Sequence, residues 1–240
     1  IAKDLLDRRF LFYYLSSGDG QAEIEFRNVG STQPKLPLYN IKTLPIPTPP
    51  LPEQKAIAAM LSSLDDKIDL LQRQNVTLEV MAQTLFRQWF IEEAENFIEL
   101  SELVEINPKL SLKKGVAAPY LEMRNVQTDS CAPFDWYDRE YKSGTRFQNG
   151  DTLMARITPC LENNKVSFVN FLRDDEIGWG STEFLVLRVK RNLPRFYTYT
   201  LAKDEGFRAF AIKTMTGSSG RQRVQTESLY EYPPSYLTVL

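Results

Sequence analysis

The chain has 240 residues, 42% hydrophobic and 25% charged, with 29 basic and 31 acidic side chains and a formal net charge of −2. This suits one or two globular domains with a real core and argues against a simple polycationic nucleic-acid binder, while leaving local patches open. It contains no histidine, which removes Ser-His-Asp triads, Cys-His dyads and His-ligated metals, and its only cysteines, Cys131 and Cys160, are too few for a disulfide scaffold or a four-ligand zinc site.

No apolar run is long enough to cross a bilayer and no signal segment opens the chain, so the expected setting is a reducing cytoplasm. The sequence starts on Ile1, and "IAKDLLDRRFLFYYLSS" reads as an amphipathic helix already under way, which leads us to expect further sequence before it. "GDG" at 18–20 reads as a turn, and the stretch to about residue 44 as short strands and loops. Next comes "LPIPTPPLPEQ", residues 44–54. Proline fixes φ and favours the extended polyproline II form, so this tract predicts a stiff lead-in that aims the helix behind it. Pro52 fits the first helical residue, where its missing N–H costs nothing. Glu53 fits the first turn, where the helix dipole favours a negative charge.

From Pro52 to about Phe90 neither Gly nor Pro interrupts. Apolar residues recur at alternating steps of four and three: Leu61, Ile68, Asn75, Ala82 and Trp89 fall at heptad position a, and Ile57, Leu64, Leu71, Leu78 and Leu85 at d. Asn75 is the one polar residue on this seam and would fix register or partner at a cost in stability. A helix of this length spans roughly 55–60 Å. The alternative is an amphipathic helix lying on a globular core. The strict 3.5 repeat favours helix-on-helix packing, with Ile57, Leu61, Leu64, Ile68, Leu71, Asn75, Leu78 and Leu85 as the partner-facing residues. The partner would be a second copy or a part of the protein outside these 240 residues.

Beyond residue 97 the texture changes to a compact α+β pattern. "IELSELVEINPKL" predicts a short helix and turn. Strands are expected in 118–126, in 147–157 behind an Asn-Gly turn, in 164–169 and in 181–189. Helix is expected over 194–212 with a break near Gly206, and then a loop at 216–224. The chain also echoes itself: "RRFLFYYL" (8–15) with "PRFYTYTL" (194–201), "GSTQPKL" (30–36) with "GSSGRQRV" (217–224), and "TLPIPTPPL" (43–51) with "SLYEYPPSYL" (228–237). Three matches in one order predict a tandem architecture. Residues 1–50 would end a first domain, 51–97 form the long helix, and 98–240 form a second domain, with a second long helix expected after residue 240.

At this point the residues resemble a known family. "PLPEQKAIAAMLSSLDDKIDLLQRQNVTLEVMAQTLFRQWF" is similar to the central conserved region of type I restriction–modification specificity subunits. "GDTLMARITPCLENNKVSFV", "GWGSTEFLVLR" and "TGSSGRQRV" resemble their target recognition domains. The resemblance implies an α+β target recognition domain with mixed small sheets and helices, joined to a coiled-coil-forming helix. It implies a non-catalytic subunit that reads one half of a bipartite double-stranded DNA site per recognition domain. It also implies docking of methyltransferase subunits, two of them, which bind S-adenosylmethionine, and a motor subunit that joins through the complex. The chain itself would need no cofactor or metal, and would self-associate through the long helix if the second conserved helix is absent. Two half-sites on one face of a duplex must lie about a helical turn or a multiple apart, so a rigid rod between the readers fits the task.

For DNA contact the sequence offers nine bases against two acids between residues 188 and 223, a tract that suits phosphates or simply a solvated helix face. In "GSSGRQRV", Gly217 and Gly220 permit close backbone approach, Ser218 and Ser219 can donate to phosphate, Arg221 and Arg223 can reach guanine, and Gln222 adenine. The bland alternative is a capping or hairpin loop. Arg124, Asn125, Arg156, Lys165 and Lys213 complete the candidate set. Asp65–Asp66, Glu92–Glu93 and Asp174–Glu176 read as solvated or partner-facing charges rather than metal ligands, Cys160 as a small buried side chain, and "FRQWF" (86–90) as helix-end packing. A carboxylate-dependent nuclease with a dimerisation arm and a protein-only scaffold remain as alternative functions.

Overall fold

The computed structural model describes residues 5–30, 33–93, 97–190, 193–218 and 220–233. They divide into two compact units, residues 1–74 and 75–240, with one long helix running through the boundary.

The first unit is helical, where strands and loops are expected from the sequence. Helix α1 (Arg8–Ser16) does not run from the start of the chain: it begins at an N-cap, Asp7, whose Oδ1 accepts from the amides of Arg9 at 2.9 Å and Phe10 at 3.0 Å. "GDG" is not a turn but the first turn of α2 (Gly18–Phe26), capped by the Ser17 hydroxyl. Gly20 is required there, because a Cβ would lie 2.0 Å from the Tyr14 carbonyl oxygen. A lone antiparallel bridge, Val29 with Lys35, closes the next loop, and α3 (Leu38–Lys42) follows.

The proline tract is extended and leads into α4 (Leu51–Arg87), 37 residues or about 55 Å of unbroken helix. The helix starts one residue before Pro52, and Gln54 locks its entry. Fully buried, Gln54 accepts from the Asp7 amide at 2.8 Å and donates to the carbonyls of Leu5 at 3.0 Å and Pro49 at 2.7 Å. The Tyr14 hydroxyl donates to the Pro45 carbonyl at 3.0 Å, and that of Tyr13 to Asp65 at 2.6 Å. The stiff lead-in is thus tied to α1 at several points. The helix ends in a π-helical turn, Gln88–Glu92. No helix among the described residues is long and apolar enough to cross a membrane.

The second unit is α+β. A short helix α5 (Leu100–Leu103) leads into β1 (Val104–Ile106), a strand missed from the sequence. Then come β2 (Ala117–Leu121), β3 (Tyr137–Glu140), β4 (Thr145–Phe147), β5 (Thr152–Ala155), β6 (Val166–Phe168), β7 (Gly178–Gly180) and β8 (Phe184–Val189). They form two four-stranded sheets. One is antiparallel, in the order β1-β8-β5-β6; the other is mixed, in the order β3-β2-β7-β4, with β2 and β7 parallel. Leu121, Val126, Phe147, Leu153, Val169, Phe184 and Val186 form one buried cluster. The larger cluster joins Leu185 and Leu187 to Tyr197, Tyr199, Phe207 and, from the end of α4 and the π turn, Phe86 and Phe90. Phe86 and Phe90 each meet Tyr197 edge-on at 5.2 Å, so "FRQWF" packs the helix end. The expected helix over 194–212 is two helices, α6 (Tyr197–Lys203) and α7 (Glu205–Lys213). They break at Asp204, whose carboxylate caps the Phe207 amide at 3.0 Å, rather than at Gly206. The last helix is α8 (Thr226–Tyr230).

The echo in the sequence is an echo of structure. The first unit runs helix, helix, a Gly-Ser loop closed by a lone bridge, then a five-residue helix and proline; the end of the second unit runs the same way. The offsets Arg8 to Tyr197, Gly18 to Glu205, Gly30 to Gly217 and Leu38 to Thr226 are 189, 187, 187 and 188 residues. Each glycine sits at positive φ at the loop entrance, and each bridge closes it, Val29 with Lys35 and Thr216 with Arg223.

The heptad seam on α4 is open. Ile57, Leu64, Ile68, Leu71, Leu78, Leu85 and Trp89 are 38–61% exposed. The residues that α4 buries lie off the seam: Gln54 and Ala58, and farther along Phe86.

Candidate nucleic-acid interface

The loop between α7 and α8 is built on Arg223. Its backbone pairs with Thr216 and with Ile157, the Thr158 amide donates to the Gln222 carbonyl at 3.1 Å, and the Val224 amide to the Arg156 carbonyl at 2.9 Å. Gly217 takes φ +121°, and a Cβ there would press within 3.1 Å of the Arg221 carbonyl oxygen. The guanidinium of Arg223 grips Glu183 in a fork, Nη2 at 2.7 Å and Nε at 2.9 Å. That hydrogen-bonded carboxylate raises the Arg223 pKa further. Arg223 therefore holds the loop to the β7–β8 connection, and its fork is occupied.

Several other candidates are also committed. Arg156 donates through Nη2 to the Val224 carbonyl and, at 3.2 Å, to the Gln225 amide oxygen; its buried Nε has no partner among the described residues. Lys165 donates to the Met123 carbonyl at 2.9 Å. That bond ties the 156–165 loop to the 3-10 turn Met123–Asn125, in which Arg124 pairs with Glu122 at 2.5 Å and the Asn125 amide holds the Asp135 carbonyl at 2.8 Å. The structure thus brings the three predicted segments, 123–125, 156–165 and 216–225, side by side, largely by spending their polar side chains on one another. Lys213, Ser218 and Arg221 remain exposed, with no side-chain partner among the described residues; Gln222 is half-buried, and Ser219 lies outside the described residues.

The basic tract shrinks in the same way. Arg188 forks onto Asp151, with two bonds of 2.7 Å, Lys190 donates to the Ser101 carbonyl, and Lys203 is buried against the Thr128 carbonyl and Glu79. Arg191 lies outside the described residues. The exposed, uncommitted remainder of the tract is Arg195, Lys213 and Arg221. Cys131 is half-buried, and burial above all, with Glu79 second, pushes its thiol pKa up, the opposite of an activated nucleophile. The acidic pairs are engaged locally: Asp65 by Tyr13, Glu93 by Gln88 and Glu176 by the Arg173 amide. Among the described residues no three His, Cys, Asp or Glu side chains converge as a metal site.

The family model of the type I restriction modification DNA specificity domain matches residues 1–80. Curated relatives include the EcoAI specificity subunit of Escherichia coli, 33% identical over 52% of this chain and 22% of its own length. The EcoEI specificity subunit of the same species is 30% identical over 59% of this chain and 25% of its own length. The MjaIX specificity subunit of Methanocaldococcus jannaschii is 32% identical over 51% of this chain and 32% of its own length. The chain spans between 17% and 32% of the length of the curated relatives it matches. By the family match and these relatives, the chain is similar to the specificity subunits of type I restriction–modification systems.

Proposed function

We propose that this chain is a sequence-specific DNA-reading part of a type I restriction–modification complex. It carries the end of one recognition domain (1–50), a spacer helix (51–97) and a second recognition domain (98–240). The observation that carries this reading is the repeat: the same helix–helix–loop–helix unit recurs at a constant offset near 188 residues, with one long helix between the copies. Two like readers on one chain suit a split site, and a long helix between them suits the role of spacer. A floppy joint would spread the readers over many separations and dilute the second contact.

The open seam is the face for a second long helix, from another part of the protein or from a second copy, and Asn75 sets its register. Catalysis belongs to methyltransferase subunits docked along the helices, which bring their own S-adenosylmethionine and act in the cytoplasm; a motor subunit joins through that assembly. Within the second reader, Arg221, with Lys213 and Ser218, supplies the freest base- and phosphate-directed groups, while Arg223, Arg156, Lys165 and Asn125 shape the surface.

The test is selection from a random duplex pool by the whole protein bound to its methyltransferase subunit. A split motif is expected, and Arg221→Ala should weaken one half by about tenfold or more and leave the other half intact. Enrichment of no motif, or equal loss in both halves, would overturn the reading.

A further inference from the structure

We propose that the outer face of the mixed sheet β3-β2-β7-β4 is a second DNA-backbone contact, gripping phosphates beside the loop that carries Arg221. This rests on the DNA-reading function above. Arg139 on β3 is exposed, and its guanidinium lies 4.7 Å from the Tyr120 ring centre and 5.8 Å from that of Trp179. Arg146 on β4, which pairs with Trp179 in register, lies 5.9 Å from the Tyr141 ring. The Trp179 indole donates to the Arg139 carbonyl at 3.2 Å, and Trp179 packs with Tyr120 at 4.3 Å and Tyr141 at 5.3 Å. These rings form a small cluster of their own, separate from the two larger cores.

The chemistry of this face is one-sided. Neither arginine has a carboxylate partner among the described residues, in contrast to Arg188 and Arg223. Asp138 and Glu140 alternate with Tyr137 and Arg139 along β3, so they project from the opposite face. Glu122, which follows β2, is already held by Arg124 and by the Tyr137 hydroxyl. The backbone of Tyr141 pairs with Gly115 and Val116, which brings exposed Lys113 and Lys114 to the rim.

A guanidinium held over an aromatic ring by cation–π attraction is pre-ordered and weakly hydrated, and its N–H groups can still meet an anion in two-pronged fashion. A row of such cations suits an array of fixed phosphates. The face also continues into the candidate interface. Trp179 and Glu183 are four residues apart, at most roughly 14 Å along the chain, and Glu183 clasps Arg223 at the base of the 216–223 loop. Each strand of a duplex carries a phosphate about every 3.4 Å of axis, so one backbone can cross both. Phosphate contact reads no sequence; it sets the angle at which the loop meets the groove.

The test measures binding of the whole protein, with its methyltransferase subunit, to a labelled duplex across a salt series. Arg139→Gln with Arg146→Gln should weaken binding to matched and unmatched duplexes alike, and reduce the slope of log K against log salt by about 2, at close to 0.9 per phosphate contact. Arg139→Gln alone should reduce it by about 1, and Arg139→Lys with Arg146→Lys should keep the parental slope. Arg221→Ala serves as contrast, because it should discriminate between sequences. A parent that binds no duplex would overturn the proposed function and this inference with it. A parent that binds, with both Gln variants folded and parental in slope, would overturn the inference alone. So would loss of methyltransferase co-purification with unchanged DNA slope, which would make the face a protein contact.

Discussion

Glu79 provides the sharpest test of how the long helix is fastened to the second reader. It sits on α4 with its side chain 20% exposed, accepts the Tyr199 hydroxyl at 2.8 Å and lies 3.5 Å from the ammonium of Lys203, which is only 2% exposed. That ammonium also donates to the Thr128 carbonyl at 3.1 Å and lies 5.7 Å from the Tyr199 ring centre. Glu79→Ala strands a buried cation and a buried phenol together. Removing one partner of a fully buried pair costs about 3–5 kcal/mol. Water can reach the outer edge of Glu79, so we expect about 2–3 kcal/mol, or a fall of roughly 5–10 °C in Tm for a unit of this size. Glu79→Gln keeps an acceptor for Tyr199 and should lose about half as much. Glu79→Gln combined with Lys203→Met removes both charges and should recover most of the loss, as replacement of buried pairs by apolar groups often does. Thermal unfolding followed by circular dichroism reads all three. If Glu79→Ala unfolds within a degree of the parent, or the double variant is worse than either single one, the clasp is not what holds α4 against α6.

Gly20→Ala should force α1 and α2 apart, because its Cβ would meet the Tyr14 carbonyl oxygen at 2.0 Å; limited proteolysis should cut faster within residues 8–26 and leave the second unit unchanged. Asp204→Ala removes the cap of α7 and should cost about 1 kcal/mol in urea unfolding, with Asp204→Asn nearly neutral. Burial holds the Cys131 thiol protonated to higher pH than usual. In a Cys160→Ser background its alkylation by iodoacetamide at pH 8 should therefore be slower than for a free thiol, rise only in more alkaline buffer, and accelerate on unfolding; parity with a free thiol in the native state would contradict the burial.

The long helix, its proline lead-in and the repeat were legible in the sequence because each rests on spacing: a 3.5-residue period, clustered prolines and motifs recurring in one order. "GDG" misled because Gly is a turn signal only when its neighbours do not cap a helix; here Ser17 caps, and the close approach of Tyr14 demands a glycine. Strands β1, β3, β4 and β7 escaped notice because they are three or four residues long, and "YDRE" and "GWG" are shaped by their sheet partners rather than by hydrophobic alternation. The sequence named the three candidate segments separately, and only the structure shows them side by side; a tally of bases along 188–223 overstated the free charge. The acids that engage them, Asp151, Glu183 and Glu79, lie outside that tract, at sequence separations such as 37 and 40 residues for Arg188 and Arg223. Only folding brings them together.

The most direct measurement is a genome-wide map of adenine methylation made by the complex before and after residues 98–240 are exchanged for the corresponding segment of a relative. If two readers are held apart by a helical rod, one half of a split motif changes while the other half and the gap between them persist. A motif that is continuous, or one in which both halves and the spacing change together, would contradict the account.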